Sequence, residues 1–390
     1  MKRDQETLII RTLLDHHGRG ESRKAGDMAT VPVDVYHSPA IHDLERDILF
    51  RRHPQCVGLS NDLPGPGSYC ARSDLDVPTV LTRDGDGVAR AFANVCRHRG
   101  SLVASGRGEA RRLSCPYHAW TYGLDGSLLG VPDASSFPDL DRAACALMEM
   151  PLVEHGGMLW LLPTVIGDGE PTTDVGDYLG TMDAELTDMQ LGSFDHWRSE
   201  RMELELNWKL VIETFLEPYH FASLHRATVG PYFLPNLCWV DGSPPHTREI
   251  LPRRSLLELA DVAPEQWELL PHAVIVHVLF PNTVLVWLLD HIETWRVTPH
   301  ATDPGRCVCE LDFYLPADNT RTQEYWEKNW VQTINTVLIE DFPAMAGVQR
   351  GVGTGVNTHF HIGRNEPALA QFQQALSDAL ATASPSATQR

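Results

Sequence analysis

The sequence predicts an α+β protein in two parts, an all-β front domain followed by a domain of antiparallel sheet flanked by helices. Three observations predict it. From Asp34 to about Val165, short apolar segments are cut by turn signals such as "DLPGPGSY", "TRDGDGVAR" and "YGLDGSL", the pattern of small all-β modules. Between Gly167 and Gly192 the composition shifts to Gly, Asp and Thr. Beyond it, apolar runs of strand length precede one long amphipathic segment.

The elements divide the chain as follows. Residues 1–33 read as a polar, partly helical lead, 34–166 as the front domain, 167–196 as a linker, 197–378 as the second domain and 379–390 as a disordered tail. In the second domain "WRSERMELELNWKLVIE" alternates as a strand and leads into a helix around "TFLEPYHFASLH". Strands are expected in "HAVIVHVLF", "NTVLVWLLDHIETWRVTP" and "RCVCELDFYLP". The amphipathic segment runs from about Thr322 to Gly347 and carries the pair Glu340-Asp341 late in its length.

Composition bounds the function. A chain of 390 residues with 43% hydrophobic content buries a large core, and a net charge of −20 opposes binding to nucleic acid. The apolar runs fall short of the roughly 20 residues that span a bilayer, and the opening "MKRDQETLIIRTLL" is too interrupted by charge for a signal-peptide core. A cytoplasmic protein that binds neither membrane nor nucleic acid is expected, with its eight cysteines reduced.

Two of those cysteines stand at ligand spacing. Cys96-x-His98 and Cys115-x-x-His118 are separated by sixteen residues. Zinc accepts such a set. Yet each pair offers one Cys and one His, so two thiolates can take one metal and two imidazoles another, the ligand division of a Rieske [2Fe-2S] centre. Gly100, Pro116, Gly123 and Gly126 mark tight loops around the pairs, and Trp120 is placed to exclude water. Here the chain resembles the Rieske family, whose C-x-H and C-x-x-H pattern it matches in full.

The cage alone implies electron transfer, so the rest of the chain decides whether there is catalysis. In "NWKLVIETFLEPYHFASLH", His220 and His225 lie five apart, near one face of a helix with a distorted end, and imidazoles suit ferrous iron. Asp341 is the candidate third ligand of a 2-His-1-carboxylate site. Such an iron needs delivered electrons, which the upstream cluster supplies.

This arrangement resembles the catalytic α subunit of the Rieske non-haem iron ring-hydroxylating oxygenases, over nearly the whole chain from "VDVYHSPAIHDLERDILFRRH" to "EDFPAMAGVQRG". The resemblance implies a Rieske domain followed by a helix-grip (SRPBCC, Bet v 1-like) catalytic domain. It implies a head-to-tail homotrimer in which electrons cross to a neighbour through the carboxylate three residues before the first iron-binding His, here Glu217. Most members have Asp there; this chain's Glu-x-Tyr-His resembles the members that oxidise quaternary ammonium compounds. Thr214 departs as well, where many ring dioxygenases carry Asn.

The function expected is therefore O2-dependent hydroxylation or oxidative dealkylation of a small or medium organic substrate. Electrons would come from NAD(P)H through a separate reductase, with or without a ferredoxin, because no dinucleotide-binding stretch is visible. The alternatives are an aromatic-ring cis-dihydroxylating dioxygenase and a non-catalytic Rieske electron carrier fused to a ligand-binding domain. Phe215, Phe221, Leu224, His277, Trp287 and Phe342 are the candidate pocket residues.

Overall fold

A computed structural model describes residues 1–22, 26–73, 75, 77–162 and 174–383. The front strands form a five-stranded antiparallel sheet in the order Glu149–Met150, Ala89–Ala93, Thr79–Arg83, Ser68–Arg72 and Arg107–Glu109. A three-stranded sheet of Leu152–His155, Met158–Leu161 and Gln55–Leu59 lies beside it in sequence. A third, small sheet of Leu113–Ser114, Thr121–Tyr122 and Leu128–Gly130 carries the second Cys/His pair between its first two strands. The strands are short because a turn interrupts them every few residues. At one turn, Gly126 (φ 81°) lies so near Phe92 that a Cβ would sit 2.4 Å from the ring.

The second part is a seven-stranded antiparallel sheet in the order Phe194–Leu204, Cys307–Pro316, His291–Pro299, Thr283–Leu288, Ala273–Leu279, Thr247–Pro252 and Trp239–Asp241. Side chains alternate across it with period two. One face presents Val274, Val276, Val286, Trp295 and Phe313 to the main core, against which pack the helix Trp208–Glu213, the long C-terminal helices and Pro367–Ala383. The opposite face sends Leu279, Leu285, Ile292 and Tyr314 into a second core closed by Val175, Leu179 and Leu186. The expected amphipathic segment is one continuous helical run, Gln323–Thr333, a π-helical Ile334–Asp341, and Phe342–Val352.

A buried ion cluster joins the two parts. Arg72, 1% exposed, donates to Asp62 (2.6 Å) within the front part and to Asp312 (3.2 Å) and Glu310 (3.4 Å) of the second. Arg107 adds a bond to Asp62 (2.8 Å), Arg296 one to Asp312 (2.5 Å), and the Tyr314 hydroxyl one to Asp62 (3.0 Å). Removing one member strands the others, so Arg72→Met is expected to cost about 3–5 kcal/mol in a urea titration. Burial pushes the Asp312 carboxyl up, but Arg296 and Arg72 outweigh it and hold it well below its ordinary 3.8. A depressed carboxylate stabilises the fold above its unfolded value and loses that contribution as pH falls through its folded value. Stability is therefore expected to drop in acid below about pH 4, and less steeply in Arg72→Met, as read by urea midpoints across pH.

The structure differs from expectation at the ends and the junction. The lead holds a 17-residue helix, Arg3–Arg19, whose Ile9, Ile10 and Leu13 are buried against Leu256, Leu259 and Trp267 of the second part. Residues 29–32 form a strand paired with His359–Ile362. Of the expected linker, 163–173 lies outside the described residues, but Val175–Leu179 and Asp183–Asp188 are helical and their apolar sides are core. The tail begins within the helix Pro367–Ala383, and 384–390 lies outside the described residues.

Candidate active site

The first cluster of polar side chains stands on two loops of matching design. In one, Cys96 N–H donates to Ser101 C=O (2.8 Å) and Cys96 C=O accepts from Gly100 N–H (2.9 Å). In the other, Cys115 N–H donates to Trp120 C=O (2.8 Å) and Cys115 C=O accepts from Ala119 N–H (2.9 Å). The fourth residue after each cysteine turns the chain with positive φ, 77° at Gly100 and 58° at Ala119. The loops bring the two imidazoles together, His98 and His118 having ring centroids 4.7 Å apart, and His98 stacks on Trp120 at 4.9 Å.

Both cysteines are buried. Burial raises the Cys115 thiol, but the N–H groups of Tyr117 and His118 outweigh it and hold the value below the ordinary one, favouring the thiolate that binds metal. The Tyr122 hydroxyl, 3.3 Å from Cys96 Sγ, also accepts from Arg97 N–H (3.0 Å). No spacing pattern points to Tyr122, because its contact with Cys96 joins two residues 26 apart in the chain. The Nδ1 of His98 is buried with no hydrogen-bond partner among the described residues. Two thiols and two facing imidazoles, one with an orphaned nitrogen, fit a two-iron cluster.

The second cluster grows out of the helix Trp208–Glu213, all six of whose residues are buried. Asn207 starts it by accepting from Lys209 N–H (3.0 Å). The buried Lys209 and the Trp208 indole both donate to Glu45, at 2.6 Å and 2.8 Å, fixing the helix to the N-terminal segment. Pro218 prevents its continuation. The next residues are linked turns rather than the expected helix: Leu224 N–H bonds to His220 C=O (2.8 Å), and His225 N–H to Phe221 C=O (3.2 Å). These turns, together with the π-helical run that carries Asp341, aim three side chains at one point.

Ligating atoms of His220, His225 and Asp341 lie within 4.8 Å of one another. Asp341 Oδ1 is 3.1 Å from His225 Nε2 and 3.5 Å from His220 Nε2. His225 Nε2 is nonetheless buried without a hydrogen bond among the described residues, as fits a nitrogen pointing at a shared cation rather than at the carboxylate. The other ring nitrogens are held by carboxylates. Glu340 Oε2 meets His225 Nδ1 at 2.6 Å and also accepts from the Thr228 hydroxyl (2.6 Å). Glu217 contacts His220 Nδ1 through Oε1, while its Oε2 accepts from Tyr219 N–H (2.5 Å) and His220 N–H (3.1 Å). This is the outer arrangement that orients metal-bound imidazoles. Burial lowers the His225 imidazole, but Asp341 and then Glu340 outweigh it and raise the value, whereas burial raises Asp341. Glu340 was legible as the neighbour of Asp341 but not as the orienter of His225, since a π turn decides where consecutive acids point.

The three side chains lie between two cavities. The first, of about 420 Å³, extends over the sheet and is walled by Phe215, Phe221, Phe233, Val276, Val286 and Val337, with Arg253, Glu293 and Tyr325 also in its lining. The second, of about 550 Å³, shares Thr214, Glu217, His220 and Asp341 with it and runs toward Tyr36, His359 and Glu366. Among the candidate pocket residues, Phe215 and Phe221 line the first cavity and Leu224 the second. His277, Trp287 and Phe342 line neither. His277 and Trp287 have the wrong parity: Val276 and Val286 face the cavity, so their neighbours face the other side, where His277 meets Glu185 at 3.2 Å. Phe342 is turned into the core against Trp295, ring centroids 6.1 Å apart.

Close packing guards the His225 turn. A Cβ on Gly230 would lie 2.7 Å from the carbonyl oxygens of both His225 and Phe221. Gly230→Ala is therefore expected to displace the turn that carries His225, costing about 1–3 kcal/mol and lowering the metal content while leaving the front loops intact. Metal analysis beside the visible spectrum reads both.

Comparison with known proteins agrees with this geometry. The family model of the ring hydroxylating alpha subunit (catalytic domain) matches residues 191–382, and that of the Rieske [2Fe-2S] domain matches 53–146. Chloroplastic choline monooxygenase of Spinacia oleracea is 28% identical over 337 residues, covering 84% of this chain and 73% of that protein. The carnitine monooxygenase oxygenase subunit of Acinetobacter baumannii is 32% identical over 200 residues, half of this chain and 52% of the other. A quaternary ammonium Rieske monooxygenase solved with L-carnitine shares the fold with a TM-score of 0.75 at 23% identity, covering 90% of this chain and 96% of that one. Naphthalene 1,2-dioxygenase from Rhodococcus sp. bound to indole does so with 0.74 at 19%, covering 97% and 99%. A catalytic domain matched behind a Rieske domain rules against the simple electron carrier, and the chain belongs to the Rieske non-haem iron oxygenases as a catalytic α subunit, an enzyme that uses a [2Fe-2S] cluster, a mononuclear iron and O2 on a small organic substrate.

Proposed function

We propose that the chain is a monooxygenase acting on a small amine-bearing substrate, with 34–166 as its cluster-bearing unit and 197–378 as its catalytic unit. The observation that carries this is the convergence of His220, His225 and Asp341 at the edge of an apolar cavity large enough for a small molecule. Relatives named for choline, carnitine, glycine betaine and putrescine support the amine.

Cys96 and Cys115 would hold one iron of the cluster and His98 and His118 the other. His220, His225 and Asp341 would hold the mononuclear iron beside the cavity. Bound there, the iron supplies the two-electron activation of O2 that inserts oxygen into a C–H bond. Glu340 and Glu217 keep the ring orientation of His225 and His220. The apolar walls hold the substrate and exclude water from the reacting carbon. The balance is RH + O2 + 2 electrons + 2 protons → ROH + H2O, and when the carbon adjoins nitrogen the product divides into an amine and an aldehyde.

The electrons would come from a separate reductase and pass from the cluster of one subunit to Glu217 of the next in a homotrimer. Two features of the surface support this contact. Tyr117, beside His118, is 57% exposed and Tyr219, between Glu217 and His220, is 61% exposed, so an exposed aromatic flanks each end of the bridge. Arg97, Arg99, Arg111 and Arg112 are exposed around the cluster loops, opposite in sign to a chain of net charge −20.

Among the described residues no helix is long and apolar enough to cross a membrane. Single turnover of the reduced protein under labelled O2, with L-carnitine, glycine betaine, choline and indole offered separately, tests the function. Oxidative cleavage or hydroxylation of an amine is expected. Formation of a cis-diol from indole with no amine consumed would contradict it.

A further inference from the structure

The face of the sheet that floors the first cavity is apolar along Val274, Val276, Val286 and Leu288, and two charged side chains interrupt it. Glu293 is 4% exposed. Its carboxylate accepts from two neutral donors, the Thr333 hydroxyl (2.6 Å) and the Trp295 indole (3.0 Å). The nearest cationic group, His291, stands 3.6 Å away and is shared with Asp290 at 3.0 Å. Negative charge at this end of the cavity is thus held in place and only partly balanced.

Arg253 is the opposite pole. Among the described residues its guanidinium makes no ion pair and no side-chain hydrogen bond, and its buried Nε has no partner. The group lies 5.6 Å over the Phe233 ring at the cavity wall. Burial lowers its pKa, a shift that Asp290 and Tyr325 oppose. Arg253 is half-buried, so its guanidinium gives up part of its solvation, at a cost, without gaining a counter-ion. An anionic group of a bound molecule would remove that cost.

We propose that the cavity selects a zwitterion, with its ammonium or quaternary nitrogen beside Glu293 and its carboxylate on Arg253. The strand bearing Glu293 and the one that ends before Arg253 are three strand spacings apart in the sheet, about 14 Å, and Arg253 stands four residues beyond Glu249, which lies in the row of Glu293, about 13 Å further along the strand. Both side chains line the one cavity, whose volume of about 420 Å³ admits a small molecule between them. A neutral aromatic would leave both poles unsatisfied, and a simple amine or a diamine would leave Arg253 unpaired beside a cation. This inference rests on the amine reading above and narrows it.

The test is calorimetric binding to the full-length, iron-loaded protein, with L-carnitine, glycine betaine, choline and indole as probes. Wild type is expected to bind a zwitterion at least about 30-fold more tightly than choline. Arg253→Met should erase that preference and leave choline within about threefold, Arg253→Lys should restore part of it, and Glu293→Gln should weaken zwitterion and choline together. The cluster spectrum checks folding of each variant, and the wild-type preference needs no variant at all. Choline bound as tightly as both zwitterions, or zwitterion binding unchanged in Arg253→Met, overturns the proposal. Hydroxylation of indole with no zwitterion bound would sink this inference and leave an oxygenase, whereas zwitterion binding in this pattern without turnover would sink the oxygenase reaction and leave the binding site.

Discussion

His220→Ala is expected to abolish substrate oxidation while leaving the cluster's visible spectrum unchanged. The imidazole reaches Asp341 and His225 on one side and Glu217 on the other, and no cluster residue touches it among the described contacts. On the proposed triad, loss of His220 opens the metal site, and the catalytic contribution of a bound metal amounts to several kcal/mol, so turnover should fall by about a thousandfold or more. Metal analysis should find the mononuclear iron depleted and acid-labile sulfide unchanged. Activity within tenfold of wild type would show that His220 is not a ligand.

Glu217→Ala should separate loading from turnover. Both iron centres fill, because Glu217 is not among the converging ligand atoms. The cluster accepts electrons, but they stall there, seen as a reduced cluster that fails to reoxidise when substrate and O2 are present. Turnover should fall by at least about 100-fold, since the variant loses both the proposed bridge and the carboxylate in contact with His220 Nδ1. Glu217→Gln still accepts from the Tyr219 and His220 N–H groups, so it should orient the turn and recover part of the rate. Normal single-turnover rates in Glu217→Ala would leave Glu217 as a structural acceptor for two backbone N–H groups and nothing more.

The parts of the molecule legible in the sequence are those set by short-range spacing. Cys96, His98, Cys115 and His118 sit on two loops whose turn residues are local, so the loops and the convergence of these side chains read together. The long amphipathic segment and the strands Ala273–Leu279 and Cys307–Pro316 also read from periodicity. What sequence could not carry is the outcome of remote pairing. Whether Val286 or Trp287 faces the cavity depends on the register with Glu293 and Ile292, and a one-residue shift exchanges the faces. Glu340 and Asp341 both point at His225 because the helix carrying them is π-wound, which no residue pattern announces. The lead reads as polar in the sequence because its three buried side chains, Ile9, Ile10 and Leu13, make a narrow stripe on a charged helix. Arg253 and Glu293 belong to no motif in the sequence, and only the folded sheet places both in the wall of one cavity.

Iron and acid-labile sulfide counted on the same purified sample test most directly whether this chain carries a cluster and a separate catalytic iron. About three irons and two sulfides per chain are expected, with His225→Ala falling to about two irons at unchanged sulfide. Two irons and two sulfides in the wild type after reconstitution with ferrous iron, or zinc in place of iron, would contradict it.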